Sequence, residues 1–356
     1  MGGNALAAFG STRCSRDVAL HMLDDFQARF AQITGHLGNA ARVEPIAAYR
    51  LKPDFGDLDV LVDSRVFQSM PPKSVVDALS NTYGLALPWV KNGPVLSVGL
   101  PLPSDDQCLQ LDLISTPAAE FDFSLGYFSW NDMGNLVGRV AHKMGLKIGH
   151  NGLWLPMRDG TNLHDELLVT RDFEQALSFL GFDAARWLLG FDSLDDIYQF
   201  VASGERFNPD LYPLEHRNHT ARVRDKKRPV YMGFLQWIEA QRGLRHFDWS
   251  EDKALYLQEV MTAFPSLRED YEYSLAKLNQ VKAIRACFNG TVVTAITGLT
   301  GKKLGQFMAH FKHEHAEGMA DLPSLSVEQL HSLIRDSHQV FARSVEQSTK
   351  NQRKQD

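Results

Sequence analysis

The stretch Phe55-Gly56-Asp57-Leu58-Asp59-Val60-Leu61-Val62 alternates with the two-residue period of a strand, so Asp57 and Asp59 share one face while Leu58, Val60 and Val62 share the other. Twice the strand rise separates the two carboxylates by about 7 Å along the chain. Such a pair on a half-buried strand repels itself unless a cation lies between. A hard divalent ion such as magnesium, which prefers oxygen ligands and keeps positions open for phosphates, is the natural partner. A second strand repeats the logic. In Cys108-Leu109-Gln110-Leu111-Asp112-Leu113-Ile114 the three leucines supply a core face, and Asp112 emerges opposite them with Gln110. Three carboxylates on two strands are a donor set with which two metal ions can activate an attacking hydroxyl and neutralise a leaving pyrophosphate.

Outward from these strands, periodicity organises the rest. Val18, Met22, Phe26, Phe30 and Ile33 recur at spacings of three and four, which predicts an amphipathic helix over about 17–36. From Val43 to Val62 the pattern reads as strand, turn, strand, the turn marked by Lys52-Pro53-Asp54-Phe55-Gly56. A helix at Pro72–Tyr83, a strand at Val95–Leu100 and a turn at Pro103–Asp106 complete a small mixed sheet with helices against it. Beyond it come a helix at about Asn131–Gly145 and a hairpin turning at His150-Asn151-Gly152, where an Asn-Gly pair favours positive φ. After Leu168 the pattern is helical. Leu257, Val260, Met261 and Phe264 form one stripe, and Tyr271, Leu275, Leu278, Val281, Ile284 and Phe288 another. The last residues, from Ser344, have little to bury and are expected to fray.

The 356-residue chain, 44% hydrophobic, is long enough for a sizeable core. It carries no apolar run of the roughly 18 residues that span a bilayer and no signal-peptide pattern at its start, so a cytoplasmic or nucleoplasmic address is expected, with no membrane partner and no secretion. Cys14, Cys108 and Cys287 are odd in number and far apart, which argues against a disulfide framework or a zinc site. A net charge of −6 speaks against non-specific coating of nucleic acid, which rests on many Lys and Arg contacts to phosphate. A local basic cluster stands out all the same: Arg217, Arg222, Arg224, Lys226, Lys227 and Arg228 face only Asp225, as a solvated surface or as phosphate contacts.

At this point the sequence resembles the nucleotidyltransferase superfamily typified by DNA polymerase beta, and within it the family X polymerases. Tyr49-Arg50 through Asp59 is similar to the family's phosphate-binding turn and its G-D-h-D-h metal motif, and Asp112 to its third carboxylate. Fifteen residues on, Tyr127-Phe128-Ser129-Trp130-Asn131-Asp132-Met133-Gly134-Asn135, with Arg139 and Gly145, resembles the Y-F-T-G-S-D-x-F-N-x-x-x-R motif that opens the family's nucleotide-selecting helix. The resemblance covers about residues 43–155. It implies Asp57, Asp59 and Asp112 as catalytic metal ligands for magnesium, with manganese as an alternative, and Asp112 as the group that deprotonates a 3′-hydroxyl. It further implies Tyr127 and Phe128 against the nucleotide sugar, Asp132 beneath the base, Asn135 at the base edge and Arg139 towards a templating strand if one exists. Two departures accompany it. Ala47-Ala48 stands where the family has Gly-Ser, leaving the triphosphate to Arg50, Lys52 and backbone near Gly56; Gly10-Ser11 lies too far upstream to substitute. Trp130 and Gly134 replace a glycine and a phenylalanine.

Further on, Gly301-Lys302-Lys303 resembles the helix start in the tail domains of tRNA nucleotidyltransferases, where free amides and the two lysines would face phosphate. His310, His313 and His315 lack a carboxylate clearly placed to complete a metal site. The expectation is thus an α+β chain: a nucleotidyltransferase palm over 1–117, a thumb-like subdomain over 118–168 and an α-helical accessory domain over 169–356. It would transfer a nucleoside monophosphate from a nucleoside triphosphate to a hydroxyl, foremost a DNA or RNA 3′ end. Arg222, Arg224, Lys226, Lys227, Arg228, Lys302 and Lys303 are the candidate contacts to acceptor phosphates. Two other readings remain: transfer to a protein or small molecule, and a sensor that binds nucleotide or nucleic acid without turnover.

Overall fold

Five strands form one mixed sheet in the computed structural model, which describes residues 4–103 and 107–352. They are β1 (Val43–Pro45), β2 (Asp57–Asp63), β3 (Trp89–Asn92), β4 (Val95–Pro101) and β5 (Cys108–Thr116), in the spatial order β1-β2-β5-β4-β3. The central pair β2 and β5 is parallel; the other neighbours are antiparallel. Leu58, Val60 and Val62 of β2 and Leu109, Leu111 and Leu113 of β5 are buried, which is the face that the alternation assigns to the core. Against it pack α1 (Arg16–Thr34), through Met22, Phe26 and Phe30, and α2 (Pro72–Tyr83), through Val75, Val76 and Leu79. Leucine and valine at two-residue spacing on the strands, and at three and four on the helices, thus bury one common layer.

The sequence missed β3, which is four residues long and mostly exposed, so that no apolar alternation marks it. It also missed α3 (Phe121–Phe128), whose Phe121 and Phe123 are both buried although they lie two apart. The helix read as Asn131–Gly145 is α4 (Met133–Lys143), because Trp130 and Asn131 take positive φ of 64° and 63° and cannot continue a helix. The hairpin after it is present, with a turn one residue shorter than expected. Strand β6 (Lys147–Gly149) pairs with β7 (Gly152–Asp159), and of the expected turn His150-Asn151-Gly152 the glycine already belongs to β7. The positive φ belongs to Gly152 alone, at 144°, where a β-carbon would stand 2.9 Å from Leu168. Strand β8 (Asn162–Thr170) completes a three-stranded sheet with β6 and β7.

From Phe173 on, the described residues are helices and loops. Those used below are α5 (His219–Asp225), α6 (Lys253–Ala263), α7 (Leu267–Cys287), α8 (Gly290–Thr297), α9 (Gly301–Glu314) and α10 (Val327–Gln352). In α6, Val260 and Met261 are buried as their stripe requires. Ser344 to Gln352, expected to fray, belong to α10; residues 353–356 lie outside the described ones, as do Ser104 to Asp106 of the expected turn.

The chain forms two compact units. The first comprises residues 1–156 and 166–267, so the boundaries expected at 117 and 168 both fall within or beside it rather than separating bodies. The second comprises residues 157–165 and 268–356, where Phe288, Val293, Phe307, Phe311, Leu322, Leu330 and Ile334 form its core. Asp159, at the strand tip that joins this unit, meets Lys282 at 3.5 Å and Arg285 at 3.2 Å. No helix among the described residues is long and apolar enough to cross a membrane. Cys14, Cys108 and Cys287 are free thiols.

Candidate active site

Parallel pairing of β2 with β5 sets Asp57 opposite Gln110 and Asp59 opposite Asp112. In a parallel ladder, residues in register point to the same face, so a D-x-D on one strand and an aspartate on its neighbour are driven together. Asp57, Asp59 and Asp112 each offer a carboxylate oxygen, and these lie within 4.8 Å of one another. Among the described residues this is the one grouping of three or more His, Cys, Asp or Glu side chains that can hold a metal ion. All its donors are oxygens, the set that hard divalent ions select.

The electrostatics match the geometry. Burial, then the Asp57 and Asp112 carboxylates, push Asp59 up to about 7. Asp112 is also raised, chiefly by burial, against the opposing effect of hydrogen bonds from Ser97 and Gln110. Gln110 Nε2 donates to both Asp112 oxygens, at 2.9 and 3.1 Å, while its own Oε1 accepts from the Leu6 amide at 3.1 Å. Leu6 and Gln110 are both buried, so the segment before α1 fixes the amide that fixes Asp112. Ser97 reaches Asp112 because β4 pairs antiparallel with β5 and sets the two opposite each other. Neither Ser97 nor the Leu6 contact was visible in the sequence: a serine within Val95-Leu96-Ser97-Val98 reads as one polar residue in a strand, and only register gives it a partner.

Two cations stand near the carboxylates. Lys52 places Nζ 4.3 Å from the centre of the Phe55 ring. Its pKa is lowered, first by burial, with Asp57 and Asp59 acting in the opposite sense. Arg13, not singled out by the sequence, pairs with Asp54 through Nε at 3.0 Å and leans over Gly56, where a β-carbon would meet its Nη1 at 2.9 Å. Gly56 therefore admits that guanidinium beside the strand that carries Asp57.

The expected phosphate grip of Arg50 takes another form. Its Nε binds Asp192 and its Nη1 donates to the Leu189 carbonyl at 2.9 Å, while the Arg50 and Leu51 amides donate to the carbonyls of Phe191 and Asp192. The guanidinium thus holds the Leu189–Asp192 loop. Ala47, where the family has glycine, accepts a hydrogen bond from the Trp130 amide at 2.7 Å. This joins the turn before β2 to the turn between α3 and α4. Trp130 meets Phe191 edge to face, and a β-carbon on Gly190 would stand 2.5 Å from the indole.

The residues that the resemblance aims at a nucleotide are also engaged. Tyr127 and Phe128 meet edge to face at 5.6 Å, and Phe128 stacks on His150. Gly134 lets Tyr127 pack on α4, since a β-carbon there would be 3.0 Å from its ring. Asp132 pairs with Arg228. Asn135 Nδ2 donates to Asp225 at 3.4 Å, and Arg224 Nη2 donates to Asn135 Oδ1 at the same distance. Arg139, 8% exposed, gives Nε and Nη2 to the Leu211 carbonyl at 2.8 and 2.6 Å rather than projecting towards a strand. The structure therefore joins two groups that the sequence kept apart, the α4 polar face and the basic cluster. Within that cluster Arg217, Arg224 and Arg228 are committed to Asp225 and Asp132, Lys226 and Lys227 are exposed, and Arg222 is half-buried.

Lys302 and Lys303 are exposed in the first turn of α9, where the sequence expected a helix to start, but in the second unit. His310 lies 3.5 Å from Glu314, and His315 Nε2 is 2.6 Å from Ser337 Oγ; with His313 they form no metal-binding group. Compared with protein-family models and with curated proteins, the chain matches none.

Proposed function

We propose that the chain is a metal-dependent nucleotidyltransferase of the DNA polymerase beta superfamily, with the five-stranded sheet as its palm and α3–α4 as the start of its thumb. The observation that carries this reading is the parallel register Asp59 to Asp112, which gathers three carboxylates within 4.8 Å beside Lys52. Trp130 adds support: it holds a positive φ, the conformation glycine adopts without strain, at the position where the family motif has glycine.

Asp57, Asp59 and Asp112 would hold magnesium or manganese, which supplies neutralisation of the triphosphate and a lowered pKa for the attacking hydroxyl. Lys52 binds a phosphate of the nucleoside triphosphate as a point charge. Asp112, oriented by Ser97 and Gln110, faces the acceptor hydroxyl and takes its proton. Tyr127 and Phe128, whose rings meet edge to face, lie against the sugar. The acceptor of this reading is a nucleic-acid 3′ end.

Pyrophosphate release from each of the eight ribo- and deoxyribonucleoside triphosphates tests it, with single-stranded, gapped or tRNA-like acceptors and Asp57→Ala beside the wild type. Release that needs an acceptor and Asp57 is the expected result; silence under every condition overturns it. A second reading, a sensor without turnover, draws on Arg50, whose guanidinium is given to Asp192 and Leu189. It expects triphosphate binding by calorimetry with no pyrophosphate.

A further inference from the structure

Asn135, Arg139 and His142 lie on one face of α4, at helical spacings of four and three, and form one wall of a cleft of about 540 Å³. Arg217 and Arg224 line the opposite wall, and every lining residue belongs to the first unit. No aspartate or glutamate lines it. Asp225 is buried behind the wall, with Arg217 at 2.8 Å and Arg224 at 3.1 Å, and Glu166 pairs with the lining Lys147 at 2.8 Å.

Counting charges there leaves a surplus. The lining Lys147 is balanced by Glu166, and Arg139, Arg217 and Arg224 carry three positive charges that an arginine in a protein does not give up, against the single charge of Asp225. Burial and the neighbouring Arg217 lower the pKa of Arg139, which is the mark of a cation held without enough counter-charge. A donor is left over as well. The Arg217 side chain is 9% exposed, and its Nε is buried with no hydrogen-bond partner. Buried guanidinium donors without acceptors are costly, and a phosphate oxygen is the acceptor that arginine forks fit.

We propose that this cleft binds phosphodiester groups of a single-stranded nucleic acid, the acceptor strand of the transfer reaction. The proposal rests on the nucleotidyltransferase reading for the role of that strand. Charge decides between the two phosphate sources in the reaction. A surplus of two matches about two phosphodiesters, each carrying one negative charge, and the cleft has no carboxylate to share a metal ion with a triphosphate. The triphosphate instead belongs beside Lys52 and the three aspartates. The sequence pointed to this region through Arg224 but gave Lys226 and Lys227 equal weight and did not single out Arg217, because a charge run does not show which member turns inward.

The test is fluorescence anisotropy of an end-labelled single-stranded 12-mer, without metal or triphosphate, on the full chain carrying Asp57→Ala. Binding is then independent of turnover. Arg224→Gln is expected to weaken affinity about tenfold and to reduce the salt-dependence slope by about 1. Arg217→Lys, which keeps the charge beside Asp225 and removes Nε, is expected to weaken it about fivefold, the effect of losing one charge-assisted hydrogen bond. Lys91→Gln, exposed on β3, should leave affinity within twofold. Unchanged affinity in Arg224→Gln overturns the proposal even if Arg217→Lys fails to fold. Displacement of the 12-mer by magnesium-free nucleoside triphosphate at equal phosphate concentration also overturns it, by reassigning the cleft to the triphosphate. Inorganic phosphate at that concentration should displace little. Strand binding lost in the arginine variants, from a protein that never releases pyrophosphate, supports the cleft and rejects the transferase. Acceptor-dependent pyrophosphate release with strand binding indifferent to both arginines does the reverse.

Discussion

Asp225 is 0% exposed and holds Arg217 and Arg224 at 2.8 and 3.1 Å, whereas Asp59 sits across two parallel strands from Asp112 and one residue-pair from Asp57. Both are aspartates of the first unit, and their company is opposite in sign. Around Asp225 the chain supplies more cation than it needs. Around Asp59, among the described residues, no arginine, lysine or histidine forms an ion pair with any of the three carboxylates, and Lys52 acts on Asp57 and Asp59 only from a distance. One carboxylate is given its counter-charge by the fold, although its Oδ2 accepts no hydrogen bond. The other three have no ion-pair partner among the described residues, and under the proposed function a metal ion from outside would supply one.

The comparison makes opposite predictions for similar substitutions. Asp59→Asn is expected to cut nucleotide transfer by about 10⁴-fold, the equivalent of about 5.5 kcal/mol of lost transition-state stabilisation. The same change relieves repulsion in the metal-free protein and should stabilise it by roughly 1 kcal/mol, read as a small rise in Tm. Asp225→Asn leaves the buried Arg217 guanidinium without its counter-charge. It should cost about 3–5 kcal/mol of stability and lower Tm by about 10 °C, with residual activity below the new Tm. A stable Asp225→Asn, or an unstable Asp59→Asn, would break the contrast.

The pH dependence sharpens it. Asp59 is raised in the folded protein to about 7 from its ordinary value of 3.8, so the folded state holds more protons than the unfolded state between these values. Metal-free stability from this group therefore falls as pH rises from about 4 to 7 and is flat above. A bound divalent ion competes with that proton. Magnesium should raise Tm more at pH 8 than at pH 6, and this difference should vanish in Asp59→Asn. The smallest expected effect on activity is that of Lys52→Ala, a rise in KM for the triphosphate of about tenfold, or about 1.4 kcal/mol, with kcat changed less.

Much of the five-stranded sheet was legible because its determinants are local. Leu58, Val60 and Val62 fix a face with a period of two, Phe26 and Phe30 fix another with a period of four, and the aspartates fall on the complementary faces of β2 and β5. What the sequence could not show is set by register and by long-range packing. Ser97 meets Asp112 only because β4 and β5 pair as they do, and Leu6 meets Gln110 across 104 residues. Asn135 and Asp225 are 90 residues apart, so nothing in the spacing of either motif announces that they meet. The Arg217–Arg228 run showed its charge but not its burial, and Arg50 showed a family position but not its partner at Asp192. Local pattern places carboxylates well; it does not say which cations the fold has already used.

The most direct measurement is manganese binding to the purified chain, followed by the loss of free-ion electron paramagnetic resonance signal, in wild type, Asp59→Asn and Asp225→Asn. The account predicts that wild type takes up manganese and that magnesium displaces it. It also predicts that Asp59→Asn loses the site while still folded, and that Asp225→Asn keeps it below its lowered Tm. Manganese uptake that is absent from wild type, or that survives Asp59→Asn unchanged, would contradict the claim that Asp57, Asp59 and Asp112 form a metal centre.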